Sequence, residues 1–487
     1  MLTIFTDRDA RTCDGLSRRD FLRIGGLGLG SLSLAQLLAV RSAVAAQGSH
    51  LVRDKAVVLL YLSGGASHIE TFDPKMSAPA EVRSMTGEVA TTLPGVSFGA
   101  TFPGLAARAR QLAVIRSFTH PVGDHEAAHV HVLTGGTDPT GKGDKGFGMG
   151  ACFARLRGSN HPVTGLPTNI FIGEPEVDGQ YNSERRRALR GSAPGSLGIS
   201  CAPFEHQTIE EAPPKNERSR KRGQRLPAQD SLATNMRLNM PAERFDDRRQ
   251  LLAQLDRINR GIDSSGTIGG IDKFNDQAAS LVLGGAADAF DFRQESPKLV
   301  ATYDTRHISI GHKKFRPSTL GHQLLVARRL CEAGAGFITV HSAGWDMHAD
   351  GNNPGILKGM DMLGRSLDQA VSAFLDDVAA RGLQDKILLV ITGDFGRTPK
   401  VNARGGRDHW TRLGTLALAG GGLKMGQLIG QSAKGADAPA TDPIGTGQLM
   451  ATIMHTLFDI GQLRLVSGVP REVTKLIEAG EPMRELF

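Results

Sequence analysis

Ala56-Val57-Val58-Leu59-Leu60-Tyr61-Leu62 is an almost unbroken apolar run, and Ser63-Gly64-Gly65 follows at once. A strand with one face in water alternates polar and apolar residues; this one does not. It demands cover on both faces, as in a parallel sheet between helical layers. Further runs have the same character. The pattern predicts strands over 55–62, 111–115, 168–172, 336–341, 386–392 and 414–419. Helices are predicted over 125–133, 318–333, 355–381 and 448–460. Strand–helix alternation specifies an α/β fold with a mostly parallel, doubly wound central sheet flanked by helices. Polar motifs stand just past several of these strands, where open α/β sheets gather ligands.

With 487 residues, of which 40% are hydrophobic, the chain can bury a large core, as one domain with insertions or as two. No apolar stretch in the body of the chain reaches the roughly 20 residues of a membrane helix. Ser17-Arg18-Arg19-Asp20-Phe21-Leu22, an apolar glycine-rich stretch from Ile24 to Leu38 and Ala43-Val44-Ala45-Ala46 read as a twin-arginine export signal. Residues 1–46 are expected to be removed. They carry six basic and four acidic side chains, so a net charge of +7 becomes 7 − 2 = +5. The expected location is periplasmic or extracellular, with the twin-arginine translocase as a transient partner. Cys152, Cys201 and Cys331 remain after cleavage, with no zinc-finger or disulfide spacing.

Residues 47–487 form the expected catalytic-type domain, with 184–291 as a mostly helical insertion or cap. Within it, 215–225 carries six basic residues and one acidic residue. No aromatic residue interleaves that tract, and export removes nucleic acid as a partner, so it reads as a solvated loop.

The chemistry-bearing residues lie in the motif loops. In Trp345-Asp346-Met347-His348 a carboxylate and an imidazole, two residues apart, can turn toward one ion. In Gly393-Asp394-Phe395-Gly396-Arg397, Asp394 can bind metal or orient a ligating histidine, and Arg397 offers a fork for phosphate or sulfate oxygens. Arg407-Asp408-His409-Trp410 adds another imidazole. His125-Glu126-Ala127-Ala128-His129 matches the zincin pattern, with His125 and His129 on one helix face and Glu126 as base. That metalloprotease reading is a lesser alternative, because Thr134-Gly135-Gly136 ends the helical pattern within about two turns.

Together, Ser63-Gly64-Gly65-Ala66-Ser67-His68-Ile69-Glu70-Thr71-Phe72-Asp73-Pro74-Lys75, Ala327-Arg328-Arg329-Leu330-Cys331-Glu332-Ala333-Gly334, Gly344 to His348, Asp394 to Pro399 and Gly406 to Trp410 resemble the domain-of-unknown-function 1501 family. That family looks like a branch of the alkaline phosphatase and sulfatase superfamily, and its members often carry twin-arginine signals. The resemblance implies an alkaline-phosphatase-like fold and metal-dependent hydrolysis of phosphate or sulfate esters, on small-molecule or polysaccharide substrates. The ion would be zinc, manganese, calcium or magnesium.

Carried over by position, the resemblance matches the superfamily's mid-chain Asp and His to Asp346 and His348, its late Asp-His pair to Asp394 and Phe395, and its final His to His409. Laying the sulfatase motif's Leu-Thr-Gly ending on Leu133-Thr134-Gly135 puts the nucleophile position on His125 and the motif's Arg on His129. The chain departs at three places. Ser63 and Gly64 replace the first-strand Asp, Phe395 replaces a His, and His125 replaces Ser, Thr or Cys. One metal site, from Asp346, His348 and His409, is expected, and a second could be rebuilt from His68, Asp73, His125 or His129. His125 is a ligand, a general base or a nucleophile, and Arg397 would offset anionic charge. The alternative is a catalytically inactive metal- or ligand-binding protein of the same fold.

Overall fold

The computed structural model describes residues 51–138, 140–143, 145–173, 178, 181–206, 286–464, 469, 473–474 and 480–487. The export-signal segment, most of the expected insertion and the basic run 215–225 lie outside them. The chain divides into two units, residues 54–457 with 471–487, and residues 1–53 with 458–470. In the second, Val52 and Phe458 form an antiparallel bridge, and Asp459 caps a helical turn over Ile460–Leu463.

The first unit is built on eight strands: β1 (Ala56–Leu62), β2 (Ala113–Ile115), β3 (Asn169–Ile172), β4 (Phe204–His206), β5 (Phe337–Ser342), β6 (Ile387–Gly393), β7 (Leu416–Gly420) and β8 (Gln427–Ile429). Their order across the sheet is β8-β2-β7-β6-β1-β5-β3-β4. All pairs are parallel except those of β7 with β6 and β2. Every residue of β1 and β6 is buried, as their continuous apolar sequences require. The sheet is thus mostly parallel, with one antiparallel strand where the sequence pattern predicted a strand without its direction.

Register decides where the motif loops emerge. Leu62 pairs with Gly393 on one side and Ser342 on the other, so β1, β5 and β6 end level. Because the three strands are parallel, the loops beginning at Ser63, Ala343 and Asp394 leave from one edge. Strand β2 is antiparallel to β7, which is antiparallel to β6, so β2 points the same way. Its loop therefore leads to the same edge, into helix α1 (His125–Leu133), capped by Asp124 accepting from the Ala127 N–H.

Helix α2 (Tyr181–Gly191) packs beside α1. On a sheet face, α3 (Leu320–Glu332) packs against α4 (Arg365–Ala380). The single helix expected over 355–381 is interrupted. A turn over Ile356–Gly359 passes into a wide π segment over Met360–Gly364 before α4 begins. Met347, from the loop after β5, presses on this helix at Gly359, where a Cβ would lie 2.6 Å from its sulfur.

One buried ion pair anchors the outer motif loop. Glu70 and Arg407 are both fully buried. Arg407 donates to Glu70 Oε1 from Nε at 3.0 Å and from Nη2 at 2.8 Å. It also donates to the carbonyls of Val82, Arg83, Thr398 and Pro399. Ser84 Oγ and the N–H groups of Met85 and Thr86 satisfy the rest of Glu70. Glu70→Ala should therefore destabilise the fold by about 3–5 kcal/mol, because it strands a buried guanidinium. Denaturant unfolding measures this, and a loss within about 1 kcal/mol would show the pair to be dispensable.

Candidate metal centre

Gly64 lets two loops meet. Its φ of +101° is a backbone state that side-chain-bearing residues rarely adopt. A Cβ there would stand 2.5 Å from the Asp346 nitrogen. The Gly64 N–H also donates to Asp394 Oδ2 at 3.1 Å, tying the end of β1 to the loop after β6.

Asp346 is the centre of the cluster. Its Oδ1 accepts from Arg397 Nη2 at 2.5 Å and lies 2.9 Å from His348 Nε2 and 3.4 Å from His409 Nε2. Its Oδ2 faces His125 Nε2 at 3.6 Å. Candidate ligand atoms of His125, Asp346 and His409 all lie within 4.8 Å of one another. The Nε2 atoms of His348 and His409 are 2.9 Å apart. The side chain of His409 is 31% exposed and that of Asp346 16%, whereas Asp394, His129 and Arg397 are sealed. The cluster thus opens to solvent on the side of His409.

Two carboxylates orient the imidazoles. His125 Nδ1 lies 2.7 Å from Asp394 Oδ2, and His348 Nδ1 lies 2.8 Å from Asp408 Oδ1. An ionised carboxylate only accepts, so each Nδ1 carries a proton and each Nε2 is directed at Asp346. His125 Nε2 and Asp394 Oδ1 are buried and have no hydrogen-bond partner among the described residues.

The electrostatics follow from these contacts. Burial disfavours the His125 cation, but the hydrogen bonds and charges of Asp346 and Asp394 outweigh it and lift its pKa to about 9. Burial opposes ionisation of Asp394, yet His129, His125 and the Gly64 N–H hold its pKa at about 2. Burial likewise opposes ionisation of Asp346, and Arg397 with the three imidazoles holds its carboxyl far below the usual range. Asp346 raises His348, whereas burial lowers His409 and His129.

The other expected site residues are placed differently. Arg397 does not face open space. It is fully buried and donates to the carbonyls of Gly64, Gly65 and Arg407 as well as to Asp346. Its donors hold the loops together, leaving none for a bound ester. His68 Nε2 donates to the Ala436 carbonyl at 3.1 Å, and Asp73 is engaged by Lys75, Arg116 and Ser432. Among the described residues neither converges with His129, which instead groups with His125 and Asp394. Glu126 is half exposed and paired with Arg187 at 2.6 Å and Arg190 at 3.0 Å, both on α2. The base that a zincin needs is thus committed to the neighbouring helix, and α1 is only nine residues long.

His120 and Tyr61 escaped the sequence reading, and so did the direct contact between Ser63 and His129. Ser63 Oγ is 2.6 Å from His129 Nε2, and His129 Nδ1 is 2.7 Å from the His125 carbonyl. Imidazole Nε2 of His120 meets the Asp394 carbonyl. The Tyr61 ring lies 5.3 Å from that of His129, and burial with Asp394 nearby pushes its pKa up. The available signal was a polar aromatic at the last turns of an otherwise apolar strand, as Tyr61 in β1 and His341 in β5 are register neighbours.

A family model described as "Protein of unknown function (DUF1501)" matches residues 54–487. No curated protein matches. Among solved structures, the chain is similar to the lipoteichoic acid synthase LtaP from Listeria monocytogenes, with 11% identity, a TM-score of 0.34 and coverage of 85% of this chain and 77% of that one. It is similar to the PsFucS1 sulfatase from Pseudoalteromonas sp., with 11% identity, a TM-score of 0.36 and coverage of 86% and 70%. It is also similar to the alkaline phosphatase from the Antarctic bacterium TAB5, with 9% identity, a TM-score of 0.30 and coverage of 88% and 99%.

Two outcomes are expected. Gly64→Ala should destabilise the protein by about 1–3 kcal/mol or more, since the backbone state is strained for alanine and Asp346 must move; an unchanged thermal midpoint would contradict this. Burial also depresses His68, His120 and His206 to about 4 and His341 to about 3. Their folded pKa values lie below the unfolded value of about 6.5, so the unfolded chain binds more protons. Their stabilising contribution is present above pH 6.5 and is lost as pH falls toward 4. Each contributes a slope of up to about 1.4 kcal/mol per pH unit. Unfolding free energy measured from pH 7 to pH 4.5 should fall, and His206→Gln should flatten the fall by about one proton.

Proposed function

We propose that this chain, which belongs to the DUF1501 family of proteins of unknown function, is an exported hydrolase that uses a divalent cation to cleave phosphate or sulfate esters. The observation that carries the reading is the convergence of His125, Asp346 and His409 from three separate segments of the chain on one solvent-accessible point. The residues fit a cation. Asp346 supplies a carboxylate, His125 offers a buried Nε2 with no partner among the described residues, and Asp394 fixes that ring through its other nitrogen. Two imidazoles and a carboxylate favour zinc or manganese over magnesium or calcium.

A divalent ion bound there supplies Lewis-acid polarisation of the ester oxygen and activation of water. The protein's own groups do the rest. Arg397 pins Asp346, and Asp394 and Asp408 hold His125 and His348 in one tautomer. His409, more exposed than Asp346, His125 and His348, borders the entry for substrate. Small-molecule and polysaccharide esters are the proposed substrates. Export by the twin-arginine route is proposed from Arg18-Arg19 and the apolar segment behind them.

A second reading, binding without turnover, is favoured by one observation. The position that the superfamily resemblance gives to a nucleophile holds His125, whose Nδ1 is tied to Asp394. The two readings separate on one preparation. Natively exported protein should contain stoichiometric metal and cleave esters in a phosphate and sulfate panel. Asp346→Ala and His409→Ala should each lower metal affinity and turnover by at least roughly 10–100-fold. Metal without turnover supports the binding reading, and metal content unchanged in both variants overturns the site.

A further inference from the structure

Building on the cation site proposed above, we infer that the centre takes a single divalent ion, because the Arg397 guanidinium already fills the other half of the cluster as a built-in cation. Asp346 has two carboxylate oxygens, and they face different partners. Oδ1 accepts from Arg397 Nη2 at 2.5 Å, and the same nitrogen donates to the Gly64 carbonyl. Arg397 Nη1 lies 3.3 Å from His348 Nε2. His348 Nε2 also lies 2.9 Å from Asp346 Oδ1, a carboxylate that only accepts, so the imidazole donates to Asp346 while Arg397 Nη1 donates to the Arg407 carbonyl at 3.2 Å. Asp346 Oδ1 and the carbonyls of Gly64, Gly65 and Arg407 are ligand-type oxygens, and all four are turned to the guanidinium. Oδ2 faces His125 Nε2, and together with His409 Nε2, which lies 3.4 Å from Oδ1, these are the groups left for an ion.

In the remaining group of potential ligands, Asp394 Oδ1 has no partner among the described residues, but the imidazole nitrogens are already committed. His125 Nδ1 is spent on Asp394 Oδ2 at 2.7 Å. His129 uses Nδ1 on the His125 carbonyl at 2.7 Å and Nε2 on Ser63 Oγ at 2.6 Å. An ion placed among His125, His129 and Asp394 would have to break these buried bonds, each of which is costly to leave unmade. Charge points the same way. Asp346, Asp394 and Asp408 bring three carboxylates to the cluster, and Arg397, paired with Asp346, brings one permanent cation, whereas Asp394 and Asp408 are paired with imidazoles. One divalent ion brings that set to neutrality, and a second would leave it doubly positive in a partly desolvated pocket.

Arg397 is therefore a positioning residue and a charge substitute, and His348 belongs to its surroundings. Manganese titration of metal-stripped full-length protein, followed by electron paramagnetic resonance of free Mn²⁺ and by elemental analysis after desalting, tests this. Wild type should bind one ion per chain. His348→Ala should still bind one, and so should Arg397→Lys, which keeps the charge. Arg397→Met, which vacates the second half, should bind two. Two ions in wild type, or loss of the single ion in His348→Ala, would overturn the inference while leaving the cation site standing. No ion in wild type would overturn the site itself, and with it the inference. Should Arg397→Met fail to fold by circular dichroism, the wild-type and His348→Ala stoichiometries decide the matter.

Discussion

The arrangement depends on a buried carboxylate–guanidinium pair, Asp346 with Arg397, drawn from loops that follow two different strands. Arg397 is sealed from water and fixed by three backbone carbonyls besides Asp346. Taking such a charge out of water is expensive unless it is fully bonded. Here the bonding is complete, and its by-product is a carboxylate held at one orientation within reach of three imidazoles. Stripping the guanidinium would leave Asp346 Oδ1 with only the imidazoles of His348 and His409 beside it.

The sheet makes that pair possible. Strands β1, β5 and β6 end level, so Ser63, Ala343 and Asp394 start their loops side by side. The loops then cross, and Gly64 is the residue that lets them touch. Outside this layer, Glu70 and Arg407 fasten the segment that carries Asp408 and His409. The cluster is thus supported from beneath by strand ends and from the side by a second buried ion pair.

Much of this was legible in the sequence. Continuous apolar runs gave β1 and β6 because nothing else buries such segments, and the polar motifs past them marked the edge. The direction of β7 was not legible, because Leu416–Gly420 is apolar whichever way it runs. The π segment was hidden too, since Met360 to Gly364 keeps the apolar spacing of an ordinary helix. At the cluster, the sequence order brought Asp346, His348 and His409 forward as a set. It could not show that Arg397 turns inward, because a side chain's direction depends on which carbonyls meet it. Nor could it show that Glu126 leaves its histidines for Arg187 and Arg190, which lie more than sixty residues away. Local spelling proposes ligands; contacts distant in sequence decide which of them are free.

Anomalous diffraction from crystals grown with zinc tests the account most directly. One peak is expected, about 2.0–2.2 Å from His125 Nε2, Asp346 Oδ2 and His409 Nε2, with Arg397 still bonded to Asp346 Oδ1. A cluster without a peak at saturating zinc, or a peak coordinated by other residues, would contradict it.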